Sequence, residues 1–249
     1  MIRSIFIEIT KNKRRPFWLG LILIIIVETC WFYASMIRTQ SLPNKIFTLD
    51  QNYLLLMLMT VNGFFSPLFI SILASRIVSI DFDNDMPSVL RVNNQNNRQL
   101  YTVKLLFGGL IVLIYWIIQL IIVMYTSKNL HIIFSGNLFV ITMVCLLTGL
   151  IGILTFQMSI AFIISRQVVG ILFGLVGSFI AMMTSGMLPQ AVMRFIPMLY
   201  VSLVNPLILK SNTIIINPHI LINLFIVFFV GLGIFLITEW YTSQKSEVW

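Results

Sequence analysis

Six stretches of this 249-residue chain are long and apolar enough to cross a lipid bilayer: 17–37, 53–80, 105–125, 138–164, 168–188 and 220–238. A helix rises about 1.5 Å per residue, so a hydrocarbon core of about 30 Å needs about 20 such residues. Only 10% of the residues are charged and the mean hydropathy is +0.99, so the apolar side chains exceed what one aqueous core can bury. Lipid is the solvent for much of the surface, which excludes a soluble enzyme. The expected fold is an all-α polytopic membrane protein with six transmembrane helices, an N-terminal amphipathic helix and an outer re-entrant segment, forming one domain over 1–249.

The first span follows Lys11, Lys13, Arg14 and Arg15, as a secretory signal would, but it is too long and lacks a small-x-small cleavage site; it is read as a retained helix. Lys and Arg distribution sets the orientation. Arg3, the four N-terminal cations, Arg76, Arg91, Arg98, Lys104, Arg166 and Lys245 fall on one side, against Arg38, Lys45, Lys128, Arg194 and Lys210 on the other. Both termini are therefore expected in the cytoplasm of a bacterial cell, with the chain multi-pass in the plasma membrane. The net charge of +8 is assigned to cytoplasmic loops facing anionic lipid, not to nucleic acid. Trp18, Trp31, Trp116 and Trp240 lie near span ends, suited to interfacial anchoring, although Trp31 and Trp116 equally suit burial. Residues 190–209 are apolar but interrupted by Arg194, Pro197, Asn205 and Pro206, and read as an interfacial or re-entrant segment; a seventh span there would move the C-terminus outside.

Ile2, Ile5, Phe6 and Ile9 recur at helical spacing, with Arg3, Glu8 and Lys11 off that stripe. This predicts an amphipathic helix on the cytoplasmic surface, separated from the first span by Pro16 and serving either as an anchor or as an elbow. The longest polar stretch is 81–104, where Asp85 and Pro87 suit the start of a short helix.

That stretch resembles the loop after the second span of type-two ABC transporter permeases. There a Glu-aromatic-x-Asn-Gly-Thr run leads to a Leu and then to a Ser-Arg-x-x-x-Tyr-x-x-Lys ending. Asp81 stands for the Glu, Phe82 is the aromatic, Asn84 and Leu90 match, with Asp83 between, and Tyr101 and Lys104 keep the Tyr-x-x-Lys spacing, while Arg98 stands one residue closer to the tyrosine than in the pattern. Asp85 and Met86 depart from Gly-Thr, and Asn94 stands where a proline is usual. The layout agrees along the chain, including a very short second cytoplasmic connection at 165–167. The resemblance implies a coupling segment that docks on a separate cytoplasmic ABC ATP-binding subunit, which holds ATP and Mg, and a second copy or second small permease beside this one. In overall character the chain is most similar to the self-protection permeases of lantibiotic producers, which implies an antimicrobial peptide substrate. Another drug, a lipid or an ion as substrate, or an ATP-independent immunity protein that binds the peptide, remain open. No G-x-x-x-x-G-K-[ST] phosphate loop occurs in the sequence, so energy is expected from a partner, and no cofactor is expected here.

Glu28 is the lone carboxylate inside a span. Charged at mid-bilayer it costs roughly 2.5–3.5 kcal/mol on insertion scales, so it is expected to face the bundle or be protonated, pairing with Asn62, Gln119 or Gln157 or meeting a cationic peptide. Gly170, Gly174 and Ser178, with Gly177 and Ala181 alongside, form a small-residue stripe for close helix packing, within the chain or between copies. Met182, Met183 and Met187 offer adaptable apolar surface. His131 and His219 are isolated, Cys30 and Cys145 lie in spans as packing residues, and no acidic or His pair supports metal binding or catalysis.

Overall fold

A computed structural model describes residues 8–10, 17–41, 50–82, 97–164, 166–184, 188–210 and 213–244. Its helices are α1 (Phe17–Ser41), α2 (Gln51–Phe82), α3 (Asn97–Asn129), α4 (Gly136–Ile164) and α5 (Gln167–Thr184), then the short α6 (Gln190–Met193), a 3-10 turn (Pro197–Leu199) and α7 (Tyr200–Leu203). Strands β1 (Leu207–Lys210) and β2 (Thr213–Ile216) follow, and α8 (Ile220–Gln244) closes the chain.

Among the described residues, five helices are long and apolar enough to span a membrane: α1, α2, α3, α4 and α8. The fifth expected span is described as α5 over 18 residues, about 27 Å, and residues 185–187 of its apolar run lie outside the described residues. The seventh-span alternative also fails, since 190–209 contains only four-residue helices and the start of a hairpin. The hairpin was not anticipated: β1 and β2 are antiparallel, with Leu207 opposite Ile216 and Lys210 opposite Thr213. The segment is not peripheral either, for Leu199, Tyr200, Val201, Leu203 and Val204 are buried.

The bundle is organised around α2, which contacts α1, α3, α4, α5, α7 and β1. Its Leu54, Leu55, Leu58, Met59, Ile70, Leu73, Ala74 and Ile77 are buried. Pro67 sits inside α2 and removes the backbone bond to the Gly63 carbonyl, yet the helix continues through it. Side-chain size sets the close approaches. A Cβ on Gly170 would lie 2.1 Å from Ser75 Oγ, and one on Gly174 would lie 1.9 Å from Ser71 Oγ and 2.9 Å from the Pro67 carbonyl. The small-residue stripe of α5 is thus consumed by α2 within the chain. Gly149 of α4 likewise admits the Val201 backbone, where a Cβ would meet Val201 Cα at 2.9 Å, and Gly152 admits the Tyr200 ring. Tyr200 has no partner for its hydroxyl among the described residues, and burial pushes that group up to about 12.

Candidate coupling root and intramembrane polar cluster

The start and the middle of α3 each carry a polar cluster of the bundle. The ending of the expected coupling loop is not loop: Arg98, Tyr101 and Lys104 occupy the first two turns of α3, which starts at Asn97 instead of 105. The apolar criterion placed the boundary too late because each of these polar side chains has a partner inside the chain. Arg98 Nε donates to Glu239 Oε1 of α8 at 2.6 Å, with the Arg98 side chain 59% exposed. Tyr101 is buried, its hydroxyl 3.1 Å from Ser159 Oγ of α4, and Thr238 of α8 donates to the same serine at 2.8 Å. Lys104 is fully buried; its ammonium donates to the Ile77 carbonyl of α2 and lies 3.7 Å from Glu8 Oε2.

Glu8 therefore contradicts its expected place on the polar, outward side of the N-terminal helix. In the helical turn at residues 8–10 it is buried while Ile9 is exposed, because its carboxylate faces the buried Lys104 ammonium. Ile2, Ile5 and Phe6 lie outside the described residues, as do Asp83, Asn84, Asp85, Pro87 and Leu90; Asp81 and Phe82 form the end of α2. Arg76 Nη1 donates to Gln167 Oε1 at 2.8 Å and locks the same end of α2 to the start of α5.

Midway along the spans a second cluster forms around Tyr115 of α3. Its hydroxyl lies 2.9 and 2.8 Å from the two Glu28 carboxyl oxygens on α1 and 3.0 Å from Asn62 Oδ1 on α2. Asn62 Nδ2 donates to the Leu58 carbonyl at 3.1 Å and to Gln119 Oε1 at 3.3 Å. Phe69 stacks on the Tyr115 ring with centroids 4.4 Å apart. One O–H serves one acceptor, so a proton on Glu28 donated to Tyr115, with Tyr115 donating to Asn62, satisfies the cluster where a bare carboxylate does not. Glu28 is 1% exposed. Of its expected partners Asn62 and Gln119 join the cluster, but Gln157 does not: its amide donates to Met198 Sδ at 3.3 Å. Tyr115 was missed because tyrosine counts as apolar in a span, although a mid-span hydroxyl is a natural partner for a buried carboxyl. Trp116 beside it is a packing residue, not an anchor, donating to the Met143 carbonyl at 2.9 Å.

At the hairpin end, Arg194 donates to Asn223 Oδ1 at 3.2 and 3.1 Å, Asn223 donates to Gln190 Oε1 at 3.2 Å, and Gln190 donates to Asn217 Oδ1 at 3.2 Å. These amides tie α6, the strands and the start of α8 together. Among the described residues no group of three or more His, Cys, Asp or Glu is placed to hold a metal ion.

Five apolar helices of spanning length among the described residues, braced by polar groups buried between them, define a multi-pass membrane protein. A family model described as ABC-2 family transporter protein matches residues 4–181, and the chain belongs to that family. It is accordingly a membrane permease of an ABC transporter, a class that works with an ATP-binding partner. The matched region runs from the N-terminal segment through most of α5 and includes both the coupling root and the Tyr115 cluster. No curated protein and no solved structure matches the chain.

Proposed function

We propose that this chain is the permease subunit of an ATP-driven exporter that expels an amphipathic, lantibiotic-type antimicrobial peptide from the membrane and so protects the cell that makes it. It performs no catalysis. ATP and Mg bind a separate cytoplasmic subunit, and the path is completed by a second copy or a second small permease. Both termini and the 81–104 stretch face the cytoplasm of a bacterial cell, and the hairpin end faces outward. The observation that carries the coupling role is the bracing of the α3 root. Arg98, Tyr101 and Lys104 tie it to α8, α4, α2 and the N-terminal segment, so a push on the preceding segment reaches several helices together. In this reading Asp81, Phe82, Asp83, Asn84 and Leu90 meet the ATPase, whereas Tyr101 and Lys104, being buried, position that segment. The peptide substrate is supported by the small, Ile- and Phe-rich character of the permease.

The test is peptide resistance in cells whose partner ATPase has lost its phosphate-loop lysine. Loss of resistance is expected, and wild-type resistance would sink the proposal in favour of ATP-independent binding. A deletion strain that is sensitive to an unrelated drug but indifferent to the peptide would reassign the substrate while leaving the permease intact.

A further inference from the structure

A cavity of about 320 Å³ lies at the hairpin end, between the first half of α2 and the segment running from Leu188 through β1. Leu56, Met57 and Met59 form one wall, with Met193, Leu207 and Ile208 opposite. Thr60 and Leu209, both exposed, mark its mouth. Residues 56–60 lie about 8 to 14 Å along the helix from Gln51 at its end. With about 5 to 7 Å of headgroup region on each side of a bilayer, that depth is where acyl chains begin.

The polar groups of the cavity are uncharged: Thr60, Gln190, Ser202, Asn205 and Asn217. Most of their bonding capacity is used internally. Gln190 bonds through both ends of its amide, and Asn217 donates to the Asn205 carbonyl at 3.2 Å while its Oδ1 accepts from Gln190 and from the His219 backbone. Asn205 Oδ1 accepts from the Leu207 backbone at 3.1 Å. What remains without a partner among the described residues is a pair of donors, the Asn205 amide N–H₂ and the Ser202 hydroxyl. Arg194, next to the lining residue Met193, is turned to Asn223 and does not line the cavity.

We infer that this cavity holds one acyl chain of a glycerolipid, with the ester carbonyl accepting hydrogen bonds from Asn205 Nδ2 and the Ser202 hydroxyl. An empty apolar cleft open to lipid forfeits dispersion contacts that a neighbouring chain supplies. The two spare donors match an ester oxygen. With neither a cation for phosphate nor a carboxylate for an ammonium among the described residues of the lining, the site reads the ester and not the headgroup. The missing carboxylate also argues against a cationic peptide as occupant. This inference is independent of the proposed export substrate.

The experiment uses the full chain with its co-purifying partners in nanodiscs. The probes are phosphatidylcholine and phosphatidylglycerol bearing a diazirine in one acyl chain, each as ester-linked and ether-linked forms, with adducts mapped by mass spectrometry. Labelling of 56–60 and 207–209 is expected several-fold above the exposed Phe225 and Phe229 face, equal for the two headgroups, and about three- to tenfold weaker for the ether probes. Ser202→Ala is expected to reduce that ester preference, and Thr60→Trp, at the exposed mouth, to suppress labelling, both without a change in thermal midpoint. The inference is overturned by labelling no stronger than at Phe225 and Phe229, by a preference for the anionic headgroup, by labelling that survives Thr60→Trp, or by displacement with a synthetic cationic amphipathic helix, which would assign the cavity to peptide.

Discussion

Substituting Gly174 by alanine should cost far more than the same change at any glycine facing open space. The added Cβ would lie 1.9 Å from Ser71 Oγ, 2.1 Å from Ser71 Cβ and 2.9 Å from the Pro67 carbonyl. A hydroxyl can rotate away, but a Cβ and a backbone carbonyl cannot, so α5 must back off α2. Overpacking of this kind costs about 1–3 kcal/mol, and the immobile neighbours place Gly174→Ala near the upper end. At about 2–4 °C per kcal/mol for a chain of this size, the thermal midpoint in mild detergent should fall by about 6–12 °C. Gly170→Ala meets Ser75 Oγ at 2.1 Å but Ser75 Cβ only at 3.2 Å, so its cost is smaller. Ser75→Ala should restore most of it. Ser71→Ala should not rescue Gly174→Ala, because the Cβ and the carbonyl remain. Gly109, with nothing within 4 Å of a built Cβ, is the control: alanine there should leave the midpoint unchanged or raise it, since glycine inside a helix costs about 0.5–1 kcal/mol. If Gly174→Ala and Gly109→Ala melt together, the placement of α5 against α2 is wrong.

Other substitutions separate buried polar groups that bear load from those that do not. Tyr115→Phe strands Glu28 and Asn62 and should destabilise by about 1–3 kcal/mol in the same melt, whereas Gln157→Met, which removes an amide oxygen already lacking a partner, should be neutral or stabilising. Lys104→Met removes the ammonium 3.7 Å from Glu8 Oε2 and should lower the midpoint; the double variant with Glu8→Gln should cost less than the sum of the two single changes, and strict additivity would deny that the two residues interact. Arg98→Gln should barely shift the midpoint, and any shift should shrink in high salt, because the guanidinium is solvent-exposed despite its short contact to Glu239.

How much of this was legible in the sequence depends on which physical term dominates at each place. Where transfer of apolar surface dominates, the reading was close: the apolar runs beginning at 17, 53, 138 and 220 fall within α1, α2, α4 and α8, and the short connection at 165–167 separates α4 from α5. The interruption by Pro197, Asn205 and Pro206 weighed against a span over 190–209 without excluding one, and the structure has short helices and a strand there. Hydropathy fails where polar groups are satisfied by distant segments. It placed the start of α3 too late, since nothing local shows that Tyr101 meets Ser159 or that Lys104 meets Ile77. The hairpin had a local signal that was not used, a β-branched run over Thr213–Ile216 after Ser211 and Asn212. The α5 stripe was visible, but its complement was overlooked: Ser71 and Ser75 recur on α2 four residues apart, as Gly170 and Gly174 do on α5.

The placement of polar groups also says how displacement travels. Tyr101, Lys104 and Tyr115 are all on α3, and Tyr115 stands 11 residues beyond Lys104, about 16 Å along the same axis. One continuous helix therefore joins the coupling root to the mid-span cluster, and no loop or joint intervenes to absorb a movement. At the root α3 is tied to α2, α4, α8 and the N-terminal segment; at the cluster it meets α1 through Glu28. Of the helices packed on α2, α1 keeps an extended lipid-facing surface, with Leu19, Ile22, Leu23 and Ile26 exposed. A helix largely bathed in lipid gains little hydrophobic force from its neighbours. Its position is accordingly set by packing on α2, by the Thr39–Tyr53 hydroxyl contact at 2.7 Å and by the hydrogen bonds at Glu28, so a shift of Tyr115 changes part of what holds α1 in place. Under the coupling role proposed above, the intramembrane carboxyl lies at the far end of the path by which a displacement of the α3 root travels.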